Sequence, residues 1–328
     1  MPTNLPPHYF DAEKRYKEAK TAPEKIAALE EMLAIMPKHK GTDHLKADLR
    51  RRIAKLMQST DKKAATQRAS LVIQKEGAAQ VLVIGPPNAG KSQLVDMLTS
   101  ASPAVAEYPF TTQTVTPGMM EFENILIQLV DTPPLVNASS QMVLAANMIR
   151  ADALLIIIDL IEDPLSQMES VIAELSGLRT VIGKHQVEED GGEEGRLRFK
   201  KALVIGNKID IEETGDNLSL LKELYSDELP VMAVSARHGA GLEELKLKIY
   251  EMLDIIRIYT KSPGQKPDVN DPIVLDRGST LEEAATGVHK DFGAKLKFAR
   301  LWGSGKHDGV MVKRDHILQD GDIIELHM

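Results

Sequence analysis

The chain has no cysteine in its 328 residues, which excludes structural disulfides, thiolate nucleophiles and Cys-ligated zinc together. A reducing compartment fits that absence. No stretch approaches the roughly 20 consecutive apolar residues that a membrane span needs, and the first ten residues hold prolines but no apolar signal core. The expectation is therefore a soluble cytoplasmic protein with no membrane partner. His8, His39, His44 and His316 show no metal-ligand spacing.

What is present is ordinary in amount and uneven in arrangement. Apolar residues make up 43% and charged residues 27% of the chain, as in common globular proteins. The net charge of -8 is not spread evenly. Residues 1–75 hold 16 Lys/Arg against 9 Asp/Glu, a balance of +7, and residues 256–328 hold 11 of each. The middle is left with 13 basic and 28 acidic residues, a balance of -15. An acidic centre with a basic N-terminal extension follows.

Length alone allows two or three domains, and the patterning divides the chain at 1–76, 77–254 and 255–328. From Tyr9 to about Gln74 apolar residues recur at three- and four-residue spacing, as in Ile26, Leu29, Leu33 and Leu45, Leu49, Ile53, Leu56. The PKHKGT run at 37–42 interrupts this period, which predicts two helices joined by a basic turn. The second carries Lys46, Arg50, Arg51, Arg52 and Lys55, either a solvated face or an anion-contacting one.

Short apolar runs follow at Gln80–Ile84, Ile125–Val130, Leu154–Asp159, Ala202–Ile205 and Val231–Val234, separated by helical stretches. Such runs read as buried strands of a mostly parallel, doubly wound α/β sheet, with ligands at their carboxyl ends. Residues 184–198 are acidic and Gly-rich and read as a solvated insertion. After a helix near Gly241–Leu253, short strands at Ile255–Thr260, Pro272–Leu275, Lys295–Trp302 and Asp322–Leu326, with one helix near Thr280–Val288, predict a small α+β domain.

Gly85-Pro86-Pro87-Asn88-Ala89-Gly90-Lys91-Ser92 matches G-x-x-x-x-G-K-[ST] directly after a strand and at the start of a helix. Backbone N–H groups of Gly85, Asn88, Ala89 and Gly90, together with the helix N-terminus running through Gln93, suit phosphate oxygens. Lys91 adds a point charge for the β- and γ-phosphates. The Ser92 hydroxyl and Asp131, at the end of the next strand, form an oxygen pair for magnesium.

The run Ala202–Ile205 leads into Asn207-Lys208-Ile209-Asp210. A carboxylate at 210 can accept both the N1–H and N2–H₂ of guanine, a donor pair that adenine lacks, which favours GTP and GDP over ATP. Ser235-Ala236 follows a further strand, where a backbone N–H can meet guanine O6. Gly303-Ser304-Gly305-Lys306 resembles half a phosphate loop but lacks the first glycine and the following Ser/Thr, and reads as a hairpin turn.

These motifs in this order resemble the Obg-type GTPases, and within them the developmentally regulated GTP-binding proteins with a C-terminal TGS domain. The likeness runs through GPPNAGKS, YPFTTQTVTPG at 108–118, DTPP at 131–134, NKID at 207–210, SARHGAGLEEL at 235–245 and IRIYTKSPGQKPD at 256–268. It implies a P-loop NTPase fold with a β-grasp-like TGS domain, GTP hydrolysis, and contacts with a ribosome or RNA through the basic helices and the TGS domain. A small protein partner belongs to the same expectation. Thr111 or Thr112, with Thr112 preferred, corresponds to the first-switch residue on magnesium. Asn88 corresponds either to a potassium-coordinating asparagine or to an ordinary turn residue. Lys208 would cover the base plane, and Asn207 would tie the base loop to the phosphate loop.

Two positions depart from the general GTPase pattern. Leu135 stands where Ras-type proteins place a water-orienting glutamine, a departure shared with Obg-type proteins. Pro134 replaces the glycine of D-x-x-G and has no N–H to offer a γ-phosphate, which removes a charge-assisted hydrogen bond of roughly 1.5–3 kcal/mol. Either a slow GTPase or a nucleotide-gated adaptor without turnover follows, and an ATPase is the weaker third reading.

Overall fold

The computed structural model describes residues 6–19, 21–36, 42–70, 72–99, 116–133, 138–183, 197–305 and 307–327. The chain forms two compact units, 1–71 and 72–328.

Among its described residues the first unit contains three helices, α1 (Pro7–Glu18), α2 (Ala22–Ile35) and α3 (Asp43–Ser70), one more than the periodicity predicts. The extra break lies at Thr21, whose hydroxyl accepts from the Glu24 N–H while the Glu24 carboxylate accepts from the Thr21 N–H. This capping box, with Pro23 in the first turn, stops one helix and starts another without interrupting the apolar spacing. Tyr9, Ala12, Leu29, Met32, Met36 and Leu49 form the core of the unit, with Leu45, Ile53 and Leu56 packed against it. That stripe fixes the rotation of α3 and turns Arg50, Arg51, Arg52 and Lys55 outward. Lys38 and Lys40 lie outside the described residues.

Among its described residues the second unit holds two sheets. In the larger, β1 (Ala79–Ile84), β3 (Ile125–Asp131), β4 (Ala153–Asp159), β5 (Thr180–Ile182), β6 (Arg198–Asn207) and β7 (Val231–Val234) are parallel, and β2 (Thr116–Phe122) runs antiparallel to β3. The order is β2-β3-β1-β4-β6-β5, with β7 also on β6. Every residue of β1 and β4 is buried, as expected of parallel strands covered on both faces. The intervening helices are α4 (Lys91–Leu98), α5 (Ala138–Met148), α6 (Pro164–Gly177), α7 (Thr214–Tyr225) and α8 (Leu242–Leu253). The doubly wound, mostly parallel architecture is therefore present.

Three strand features differ from the sequence reading. β2 carries Pro117 and Gly118, which an edge strand tolerates and a central strand does not. β5 is a three-residue strand too short to show a pattern. β6 begins at Arg198 because its polar first residues pair with β5, so the residue closing the expected solvated insertion is in a strand; residues 184–196 lie outside the described residues.

The smaller sheet has the order β11-β10-β12-β8-β9, built from β8 (Ile255–Thr260), β9 (Asp268–Asp276), β10 (Phe298–Trp302), β11 (Val310–Val312) and β12 (Ile323–His327). Helix α9 (Leu281–Val288), opened by a Thr280–Glu283 capping box, packs Leu281, Ala284 and Ala285 against Ile256, Ile258, Leu301 and Ile324. The short α10 (Lys290–Lys295) takes the first residue of the expected Lys295–Trp302 strand, which starts at Phe298. Residues 303–305 turn the chain between β10 and β11, with Ser304 donating to both oxygens of Asp322; Lys306 lies outside the described residues. No helix among the described residues is long and apolar enough to cross a membrane.

Candidate nucleotide site

Five carboxyl ends of parallel strands lie along one edge of the larger sheet, those of β1, β3, β4, β6 and β7. The loop after β1 begins at Gly85, where a Cβ would stand 2.3 Å from the Ile157 carbonyl oxygen, so no larger residue fits. Asn88 occupies the left-handed region with φ 60° and is exposed, while Ala89 is buried. Gly90 caps α4 at φ +89°, with its Cα so close that a Cβ would sit 2.3 Å from Asn207 Nδ2.

Lys91 folds back over this loop. Its ammonium donates to the carbonyls of Gly85 at 3.0 Å and Pro86 at 2.7 Å. Burial lowers its pKa, and the charge of Asp131 opposes that shift. Ser92 and Gln93 stand exposed in the first turn of α4. The Ser92 hydroxyl donates to Asp131 Oδ2 at 2.5 Å. Among the described residues Asp131 Oδ1 is buried without a hydrogen-bond partner, and burial raises the pKa of this carboxyl against the pull of Ser92 and Lys91. A carboxylate beside a serine hydroxyl offers the oxygen ligands a hard divalent cation takes, so Ser92 and Asp131 fit magnesium.

Asn207, at the end of β6 and 1% exposed, joins three loops. Its Nδ2 donates to the Ala89 carbonyl at 2.8 Å, and its Oδ1 accepts from the Ala236 N–H at 3.0 Å. The Ile209 N–H donates to the Val234 carbonyl. Asp210 projects beside Ser235, and the Ser235 hydroxyl holds its carboxyl below the usual range. Ser235 also accepts from the His238 N–H, and the His238 ring lies 3.5 Å from Asp210 Oδ2. Lys208 sits at φ 71°, its ammonium 2.5 Å from Asp159 at the end of β4.

The structure thus brings together Gly85, Asn88, Ala89, Gly90, Lys91, Ser92, Gln93 and Asp131 at one end, and Asn207, Lys208, Asp210, Ser235 and Ala236 at the other. Thr111, Thr112, Pro134 and Leu135 lie outside the described residues. Two participants escape the sequence reading. Asp159 ends an apolar run as Asp131 does, a signal that was legible. His238 reaches Asp210 only through the turn at Ser235, which no spacing announces.

Comparison with known proteins bears on the fold and on the kind of protein this is. Residues 80–186 match the family described as 50S ribosome-binding GTPase, and residues 256–328 match the TGS domain. The chain is 29% identical to an uncharacterized GTP-binding protein of Methanocaldococcus jannaschii, with 92% of each chain covered. It is 28% identical to GTP-binding protein 1 of Schizosaccharomyces pombe and 26% identical to developmentally-regulated GTP-binding protein 1 of Xenopus laevis, each over 92% of this chain and 98% of the relative. Among solved structures, the Schizosaccharomyces pombe YchF GTPase shares the fold at a TM-score of 0.52 and 13% identity, over 77% of this chain and 99% of that one.

Proposed function

We propose, from the premise that the chain is a GTP-binding P-loop GTPase with a C-terminal TGS domain, that it hydrolyses GTP slowly and couples the nucleotide state to a ribosome or another structured RNA. The observation that carries the nucleotide reading is Asn207, which ties the phosphate loop at Ala89 to the base loop at Ala236 across one strand end. A purine triphosphate fits with its phosphates on the N-terminus of α4 and its base against Asp210.

In this reading residues 77–254 are the GTP-binding domain and 255–328 the TGS domain. The loop N–H groups of Asn88, Ala89, Gly90, Lys91 and Ser92 and the Lys91 ammonium hold the β- and γ-phosphates. Ser92 and Asp131, with Thr112 from the first switch, would hold magnesium, whose charge offsets that of the phosphate oxygens. Asp210 selects guanine by its two acceptor oxygens, and a backbone N–H beside Ala236, whose own N–H is held by Asn207, meets O6. The chain's own contribution to hydrolysis is positioning of the γ-phosphate for in-line attack by water. Asn88 is assigned to potassium, which the left-handed loop leaves exposed. The cytoplasm is the compartment that fits the nucleotide and the absent cysteines.

The basic face of α3 is assigned to RNA. Arg50, Arg51 and Arg52 are exposed on a helix whose opposite side is packed. Contacts with phosphates weaken steeply with salt, so nucleotide-dependent co-sedimentation with ribosomes at two salt concentrations tests the assignment. Calorimetry of GDP and ADP in magnesium tests the base reading, and absence of heat with GDP refutes the whole account. Pro134 and Leu135 support a second reading, an adaptor that binds GTP without turnover. Single-turnover hydrolysis with and without potassium and ribosomes separates the two, because an adaptor shows no cleavage in any arm.

A further inference from the structure

Asp159 closes β4 as Asp131 closes β3, yet nothing in the proposed function uses it. The carboxylate is buried, 4% exposed, and its surroundings are built from three elements. Gln167 on α6 accepts from the Asp159 N–H and donates to the Asp159 carbonyl, both at 2.9 Å. Oδ1 accepts from the Ile161 N–H at 2.9 Å. Oδ2 is left for the Lys208 ammonium at 2.5 Å, and Lys208 is the one cation that the described residues pair with it.

Lys208 carries a four-carbon stem and, with φ 71°, a backbone conformation that lysine seldom adopts. An ammonium without a fixed counter-charge turns toward water and carries its stem along. Here the charge is held instead at the carboxyl end of β4, the strand between β1 and β6. Lys208 is only two residues from Asp210, so the direction of its stem sets one wall of the pocket whose edge Asp210 occupies.

We propose that Asp159 is the positioning residue for base recognition: it anchors the Lys208 ammonium so that the lysine stem lies as a flat lid over the purine plane. The inference rests on reading 207–210 as the base site and deepens that reading. Its chemistry is directional. A lid over the purine acts on the nucleoside end, so loss of the pair weakens a guanine diphosphate and a non-hydrolysable guanine triphosphate analogue by the same factor. Loss of Lys91 acts on the phosphates and penalises the triphosphate more.

Calorimetry on the full-length wild-type chain and on Asp159→Asn, Lys208→Ala and the double variant, titrated with GDP in magnesium, tests the idea. Asp159→Asn keeps an acceptor for Ile161 and removes the charge. The expected result is about a tenfold loss of GDP affinity in the single variant and no further loss when Lys208 is already alanine. An unchanged affinity overturns the proposal, and so does an equal tenfold loss in the Lys208→Ala background, which would make Asp159 a merely structural residue. Should Asp159→Asn fail to fold, Lys208→Arg and Lys208→Met carry the test with Asp159 intact. The arginine, still paired, stays within about threefold of wild type, and the methionine, unpaired, loses about tenfold. A methionine variant of wild-type affinity overturns the inference. Wild-type protein without preference for GDP over ADP removes the base site itself, whereas that preference with an unaffected Asp159→Asn removes only the role of Asp159.

Discussion

The Asn207 side chain donates to the carbonyl of Ala89, 118 residues earlier in the chain, at 2.8 Å, and the same amide accepts from Ala236. Both contacts are buried, so neither partner has water to fall back on. Asn207→Ala leaves the Ala89 carbonyl and the Ala236 N–H unpaired, at about 1–3 kcal/mol each. The expected outcome is a lower melting temperature together with a loss of GDP affinity. Asn207→Asp is worse, since a carboxylate oxygen then faces the Ala89 carbonyl. Thermal denaturation with and without GDP measures both terms.

Asp131 gives a prediction of the opposite sign for stability and binding. Burial raises its pKa, so the folded site takes a proton more readily than the unfolded chain. Its favourable contribution is present below the ordinary carboxylate range and is lost as pH rises through the native pKa. At pH 7 the nucleotide-free protein therefore carries the cost of a buried charge. Asp131→Asn is expected to melt about 2–4 °C higher than wild type at pH 7 in the absence of nucleotide, with the gap closing as pH falls toward 4. The same variant loses magnesium-dependent GTP binding. A melting curve with pH and a magnesium titration check the two halves.

The parts of this architecture that were legible in the sequence are those where burial and chemistry coincide. Runs such as 79–84 and 153–159 are buried on both faces, so their composition announces them, and the Asp that ends 153–159 marks a carboxyl end. β2 is hidden because an edge strand needs only one partner and can hold Pro117 and Gly118. The α1–α2 break was written in Thr21-Ala22-Pro23-Glu24, but the apolar period continues through it and outweighs a four-residue signal. Asp159 carries the same mark as Asp131, yet its partner Lys208 is 49 residues away. Arg257 meets Glu123 and Asp320, 134 and 63 residues distant, and no periodicity encodes pairs of that kind.

The exposed arginines of α3 predict a change in binding without a change in fold. Arg52 pairs with Asp48 at 2.8 Å, but more than half of the Arg52 side chain is exposed, and such pairs contribute about 0–1 kcal/mol. Replacing Arg50, Arg51 and Arg52 by glutamate is expected to leave the melting temperature and GDP affinity nearly unchanged. Ribosome or RNA association should fall, and its logarithmic salt slope should flatten by about 2 to 3 for three lost phosphate contacts. Unchanged co-sedimentation removes α3 from the RNA interface.

Arg257 joins the two sheets of the second unit and predicts a localised loss of stability. Its side chain, 11% exposed, pairs with Asp320 at 2.8 Å and with Glu123 in the β2–β3 turn, and lies over the Tyr250 ring, which stacks on Phe122. Asn124 in the same turn donates to the Tyr259 hydroxyl and the Val269 carbonyl. Arg257→Ala is expected to cost about 2–3 kcal/mol, less than a fully buried pair because Glu123 is open to solvent. Hydrogen exchange should then quicken first in β8 and at the β2–β3 turn. Burial pushes the Asp320 carboxyl up, but the Arg257 and Tyr250 hydrogen bonds outweigh it and hold the pKa below the usual range. The pair's contribution is thus present above that range and is lost as pH falls through the native value, so the gap between wild type and Arg257→Ala narrows in acid. Burial, and then the bond to Asp320, pushes the Tyr250 phenol up to about 12, and this contribution disappears as pH rises from 10 through 12. Spectrophotometric titration of tyrosinate should show a last-ionising tyrosine that Tyr250→Phe removes, later than Tyr9 and Tyr225, whose phenols burial also raises, because Tyr250 has both the burial and the carboxylate that Arg257 keeps in place.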